Sequence, residues 1–122
     1  RMKLVGMFEF WFEERIEVIA LGTNAIATAQ MLKAKANKGA SGSNAIVQTV
    51  KKADVIIGPV GIIIPNAMMG EVTPLMAEAI CSVDAKKFLL PLTQENLEIV
   101  GVRGLPLPQL VDELLDKHLI FL

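Results

Sequence analysis

The residues that could do chemistry in this chain are few and mostly uncharged. Gly22-Thr23-Asn24, Gly58-Pro59-Val60-Gly61 with Pro65-Asn66, and Thr93-Gln94-Glu95-Asn96 each follow an apolar run and carry glycine or side chains that hydrogen-bond. Two of these loops lead toward expected helix starts, at Ala25 and Pro74, where unpaired backbone N–H groups and the helix dipole favour an anion such as phosphate or carboxylate. Gly22, Thr23, Asn24, Gly58, Pro59, Gly61, Asn66, Thr93 and Asn96 are therefore the candidate ligand-contacting residues. Each also has an ordinary structural reading. Thr23 and Asn24 are good helix caps, Gly58 and Gly61 suit a turn with positive φ, Asn66 suits a cap or a left-handed residue, and Thr93 to Asn96 suits a tight connection.

Catalytic side chains are scarcer still. Glu71 and Glu95 are the carboxylates nearest these loops, and either could serve as a general base, although solvated surface is the commoner role. The single histidine, His118, falls late in a terminal helix, where packing or a dipole-complementing role is expected. The single cysteine, Cys81, reads as a small buried hydrophobe. One Cys and one His give no metal-ligand spacing, and no cofactor can be assigned from these residues. Tyrosine is absent, which removes a Tyr-Lys acid–base pair.

The elements that would position these loops follow from the apolar patterning. Asp54 to Pro74 is the organising stretch, with Val55-Ile56-Ile57 and Ile62 to Ile64 and no charge between Asp54 and Glu71. It reads as a strand buried on both faces, Asp54 to Gly58, that empties into a glycine-bearing loop. Ile16 to Leu21 and Lys87 to Leu92 are similar runs, and Leu97 to Val102 is a further one, with Gly101 as a bulge. Between them lie helices. Ala25 to about Ala36 puts Ala25, Ala29, Leu32 and Ala36 on one face, and Ala45 to Lys52 turns Ile46, Val47 and Val50 inward behind Ser43 or Asn44 as cap. Thr73-Pro74 opens a helix with Leu75, Met76, Ala79 and Ile80 inward, and Leu107, Leu110, Val111, Leu114, Leu115 and His118 form the stripe of the last one. In the first fifteen residues Leu4, Val5, Phe8, Trp11 and Phe12 recur at helical spacing. A helix is preferred there over a strand from Met2 to Phe8, whose alternation would put apolar residues on both faces.

Solid apolar strands alternating with helices imply one three-layer α/β domain of Rossmann-like type over residues 1–122, with a mostly parallel sheet covered on both faces. In such a sheet ligands bind beyond the carboxyl ends of the strands, and the three loops above leave strands at that edge. The 122 residues are 52% apolar and 5% aromatic, so the core is aliphatic. A net charge of −1 offers no nucleic-acid footprint, and no apolar run reaches the ~18 residues of a spanning helix. No signal peptide is legible. A cytoplasmic protein is expected.

The segments IALGTNAIAT (Ile19 to Thr28), GASGSNAI (Gly39 to Ile46), KKADVIIGPVGIII (Lys51 to Ile64) and LPLTQENLEIVGV (Leu90 to Val102) resemble a family of short bacterial proteins, mainly from Firmicutes, known as domain of unknown function 3842. The likeness runs from Ile16 to the last helix. It implies the Rossmann-like fold and no activity. Family members look as if they begin with a strand and a glycine-rich turn, whereas Arg1 to Arg15 matches the helix after that turn, so an N-terminally truncated domain is expected. In a 3-2-1-4 order the absent strand would leave a gap between Ile16–Leu21 and Asp54–Gly58, unless Met2 to Phe8 moves in as a substitute. The family's Asn-Arg-Cys-Asn loop is here Thr93-Gln94-Glu95-Asn96, so no contact from that Arg or Cys can be made.

Three functions are consistent with these residues. The leading one is binding of a small molecule, preferably a nucleotide or other phosphorylated ligand. A non-enzymatic oligomeric or regulatory protein, whose apolar excess marks a subunit interface such as that of a homo-oligomer, is the alternative. A hydrolase or transferase with Glu71 or Glu95 as base is the third.

Overall fold

The computed structural model describes residues 2–6, 16–33, 36–92 and 96–118. Strands β1 (Met2–Gly6), β2 (Ile16–Gly22), β3 (Lys38–Ser41), β4 (Val55–Pro59) and β5 (Lys86–Leu90) form one sheet in the order β3-β2-β1-β4-β5. Every neighbouring pair is parallel. Helices α1 (Ala25–Lys33), α2 (Ser43–Val50), α3 (Pro74–Ser82) and α4 (Leu107–Glu113) connect and cover it, and α4 widens into a π-helical turn over Leu114–His118. This is the expected three-layer Rossmann-like α/β arrangement.

Alternation along the central strands divides the core into two layers. Val5, Leu21 and Ile56 meet Ile46 and Val50 of α2 and Met76, Ala77 and Ile80 of α3. Leu4, Val18, Val55 and Ile57 face the other way, onto Leu110 and Leu114 from α4. A strand with helices on both sides must be apolar at every position, and β4 is buried throughout.

The same requirement corrects the reading of the N-terminus. Met2–Gly6 is a strand and not the start of a helix. It fills the place between β2 and β4, so the expected gap is not there. Apolar residues on both faces, the feature that disfavoured a strand, is what the middle of a doubly covered sheet demands. Phe8, Trp11 and Phe12 lie outside the described residues.

Other expectations need smaller corrections. Leu97 to Val102 adds no strand to the described sheet. Val100 and Gly101 form a turn, with Gly101 at φ 89°, and Leu97, Ile99, Val100 and Val102 are exposed. The inner face of α1 is Thr28 and Met31, whereas Ala29 and Leu32 are exposed. In α3, Ala77 replaces Leu75, which is exposed. Cys81 is exposed instead of buried. His118 is exposed and sits tilted against Phe88, ring centroids 5.8 Å apart, a packing contact at the end of α4.

Candidate functional site

Because all five strands are parallel, their carboxyl ends share one edge, and the strand order reverses direction between β1 and β4. Helices α1, α2 and α3 all begin at this edge. Two of the starts are capped by side chains. Asn24 Oδ1 accepts the Ala27 N–H at 2.9 Å, and Thr73 Oγ1 accepts the Met76 N–H at 3.2 Å. The cap of α2 is Gly42, at φ 92°, in place of the expected Ser43 or Asn44.

Gly22 is required by a close approach. A Cβ there would stand 2.3 Å from Thr28 Oγ1 and 2.8 Å from the Thr28 nitrogen. The chain therefore passes from β2 into α1 with no room for a side chain. Gly42 donates its N–H to the Gly22 carbonyl at 3.1 Å, which draws the start of α2 beside that turn. Ser43 Oγ lies 3.0 Å from Thr73 Oγ1, linking the first turn of α2 to the cap of α3.

Glu71 completes this half of the edge. Its carboxylate accepts from Thr23 Oγ1 at 3.1 Å and from Asn24 Nδ2 at 3.4 Å. Of the expected contact residues, then, Gly22, Thr23 and Asn24 gather with Glu71, Ser43 and Thr73. The contacts to Glu71 span 47 and 48 residues of sequence, beyond the reach of any local pattern.

The other candidates are placed differently. Gly58 and Pro59 belong to β4, and Gly61 to the 3₁₀ turn Val60–Ile63 that follows. All three are buried, and a Cβ on Gly58 would stand 2.7 Å from Ile62 Cδ1. Gly58 admits a core side chain instead of a positive-φ turn, and Gly61 sits in a right-handed helical turn. Of the two structural readings of Asn66, cap or left-handed residue, the second holds: it stands at φ 66° and is exposed. Its loop continues through Met68 and Met69, both at φ 56°, and Gly70 at φ 89°. Asn96 lies in an exposed turn, and Thr93 and Glu95 fall outside the described residues.

Among the described residues, three open clefts lie apart from the Glu71 group. One of about 290 Å³ is at the amino edge, lined by Lys3, Glu17, Lys38, Gln48, Thr49 and Lys52. A second, about 240 Å³, lies among Pro91, Leu92, Leu97, Ile99, Val102 and Arg103. A third, about 220 Å³, separates β5 from α4 beside Phe88, Leu110 and His118. Among the described residues no group of three or more His, Cys, Asp or Glu side chains is placed to hold a metal ion, and no helix is long and apolar enough to cross a membrane.

Comparison with protein families gives one match, to a domain of unknown function, over residues 2–121. The chain belongs to the DUF3842 family. The match takes in β1 and α4 as well as the segments between them, so the whole described sheet is a DUF3842 sheet. No curated protein and no solved structure matches the chain. Thr23, Asn24, Ser43, Glu71 and Thr73 are the polar side chains that hydrogen-bond to one another at the carboxyl edge of this sheet.

Proposed function

We propose that this chain is a small-molecule-binding domain whose ligand, a nucleotide or other phosphorylated compound, approaches the carboxyl edge over Gly22 to Asn24. The observation that carries this reading is the convergence of three helix starts and four hydrogen-bonding side chains, Thr23, Asn24, Ser43 and Thr73, on one edge of a parallel sheet. Backbone N–H groups at helix starts favour phosphate, and the edge beside a reversal of strand order is where open α/β sheets take ligands. Glu71 brings a carboxylate to the end of β2. A carboxylate there repels phosphate but accepts hydrogen bonds from sugar hydroxyls, so a nucleoside phosphate suits the edge better than inorganic phosphate. No reaction is assigned to it. A single exposed thiol accords with a reducing, cytoplasmic setting.

A thermal-shift screen with mononucleotides, dinucleotides and inorganic phosphate tests the reading. The expected outcome is a rise in Tm with at least one nucleotide and a smaller one with phosphate. No rise with any of them overturns it.

A second reading rests on a separate observation. Leu97, Ile99, Val100 and Val102 are 41%, 42%, 98% and 44% exposed and succeed one another along one segment. Apolar surface of this kind marks association, and a regulatory homo-oligomer would cover it. Sedimentation of the chain at micromolar concentration as a clean monomer would count against it.

A further inference from the structure

The loop between the β4 turn and α3 is built unlike the rest of the chain. Its base is closed by backbone hydrogen bonds between packed residues, Val72 N–H to the Ala67 carbonyl at 3.1 Å and Asn66 N–H to the Val72 carbonyl at 2.7 Å. Val72 is buried, and Ala67 packs against the core beside it. Above the base, Met68, Met69 and Gly70 run through left-handed backbone in succession, and Met69 is fully exposed. Methionine has neither glycine's freedom nor asparagine's local hydrogen bonding, so this conformation is not one its residues choose unaided. Its own hydrogen bonds and its contacts with neighbouring elements must together hold it. Within the flap the bonds are Gly70 N–H to the Asn66 carbonyl and Glu71 N–H to the Met68 carbonyl, each 3.1 Å. Two contacts lead out of it: Met68 is half-buried and packs against the core beside Ala67, and Glu71 accepts from Thr23 and Asn24.

We propose that Met68–Glu71 is a strap with a closed and an open state, latched by the Glu71 carboxylate across the turn between β2 and α1. In the closed state the side chains of Thr23 and Asn24 are engaged by Glu71. In the open state the strap pivots on its base, Ala67 and Val72, and leaves both side chains available. Left-handed methionines raise the closed state's energy relative to an unstrained loop, which keeps the two states close enough for the latch to decide between them. The strap goes beyond the ligand reading and stands without it, since its contacts are all within this chain.

Amide hydrogen exchange resolved by residue tests it, because the flap and its base carry different amides. Glu71→Ala is expected to speed exchange at the amides of Gly70 and of position 71 by about tenfold, with Val72 at the base and Ile57 in β4 unchanged. Thr23→Val, which removes one latch partner without touching the loop, is expected to speed the same two amides by a smaller factor. Unchanged rates at Gly70 in both variants, or equal acceleration of Gly70, Val72 and Ile57, overturns the strap. A failed nucleotide screen with the exchange result intact would remove the ligand and leave the latch.

Discussion

Ile62 Cδ1 lies 2.7 Å from the point where a side-chain carbon on Gly58 would stand, while the other atoms of that isoleucine stay at ordinary contact distance. Ile62 is one of the most buried side chains of the larger core layer, so moving its methyl aside, toward the small void of about 10 Å³ that Val5, Leu21 and Ile80 also line, repacks that layer. Gly58→Ala is expected to cost about 1–3 kcal/mol through overpacking, even after the smaller entropy of its unfolded chain. Ile62→Val removes the obstructing methyl and should cost about 0.5–1.5 kcal/mol alone. Together they should cost clearly less than their sum. Urea unfolding of the two single variants and the double checks this, and additivity would mean that the glycine serves something other than packing.

A charged row crosses the amino end of the same face. Lys3 stands opposite Glu17, and Lys38 opposite Ile19, so the Glu17 carboxylate reaches diagonally to Lys38, 3.0 Å away. Glu17 is only 8% exposed, whereas the Lys38 side chain is 72% exposed. The solvated lysine loses little by its removal, but the carboxylate loses an ion partner. Lys38→Met is therefore expected to destabilise by about 1 kcal/mol, at the upper end for an exposed pair. Adding Glu17→Met should recover that loss, since an apolar side chain replaces a buried charge. Unfolding midpoints of the wild type, single and double variants decide it. A double variant weaker than Lys38→Met would show that Glu17 contributes through its other contacts.

Local signals in the sequence were sufficient wherever one element decided its own state. Val55 to Ile57, apolar at every position, announced a strand covered on both faces, and Thr73-Pro74 announced a capped helix start. Leu4 and Val5 put apolar side chains on both faces of Met2–Gly6, as β4 does along its whole length, but the helical spacing of the aromatic residues after it outweighs that signal. Its state is decided by the neighbours on either side, β2 and β4, which no local window contains. Leu97 to Val102 fails in the opposite sense. Its β-branched residues, Ile99, Val100 and Val102, favour a strand, yet the described sheet offers them no ladder, and β propensity without a partner strand is a preference for packing and not for a backbone. At the candidate site the strand-end loops were legible from Gly22, Thr23 and Asn24. Their meeting with Glu71 was not, because it depends on how α3 is delivered to the edge.

Asn24 serves two partners at once, capping α1 with its oxygen and donating to Glu71 with its nitrogen. Asn24→Ala is expected to cost about 1 kcal/mol, the usual value of a lost cap. Asn24→Asp is more informative. It keeps the capping oxygen and adds a charge that the helix start favours by about 0.3–1 kcal/mol, but it sets two carboxylates side by side. The substitution should therefore stabilise a Glu71→Gln background and fail to stabilise the wild type. Added salt should narrow the difference, as exposed charges are screened. Equal effects in both backgrounds would separate Asn24 from Glu71.

Met69 offers the cleanest measure of strain in the strap, because its side chain is fully exposed and makes no packing contribution that a substitution could remove. Its φ of 56° is a conformation that asparagine tolerates better than methionine. Met69→Asn is expected to stabilise the chain by about 0.5–1 kcal/mol, with the denaturant dependence unchanged because no buried surface is altered. Met69→Val should do the reverse, since a branched Cβ is the least compatible with this backbone. The same pair of variants bears on the latch. Relief of strain at Met69 lowers the closed state alone, so exchange at Gly70 should slow in Met69→Asn and quicken in Met69→Val. If stability changes as expected while Gly70 does not respond, the strain is held by the base at Ala67 and Val72, and Met69 lies outside the moving segment.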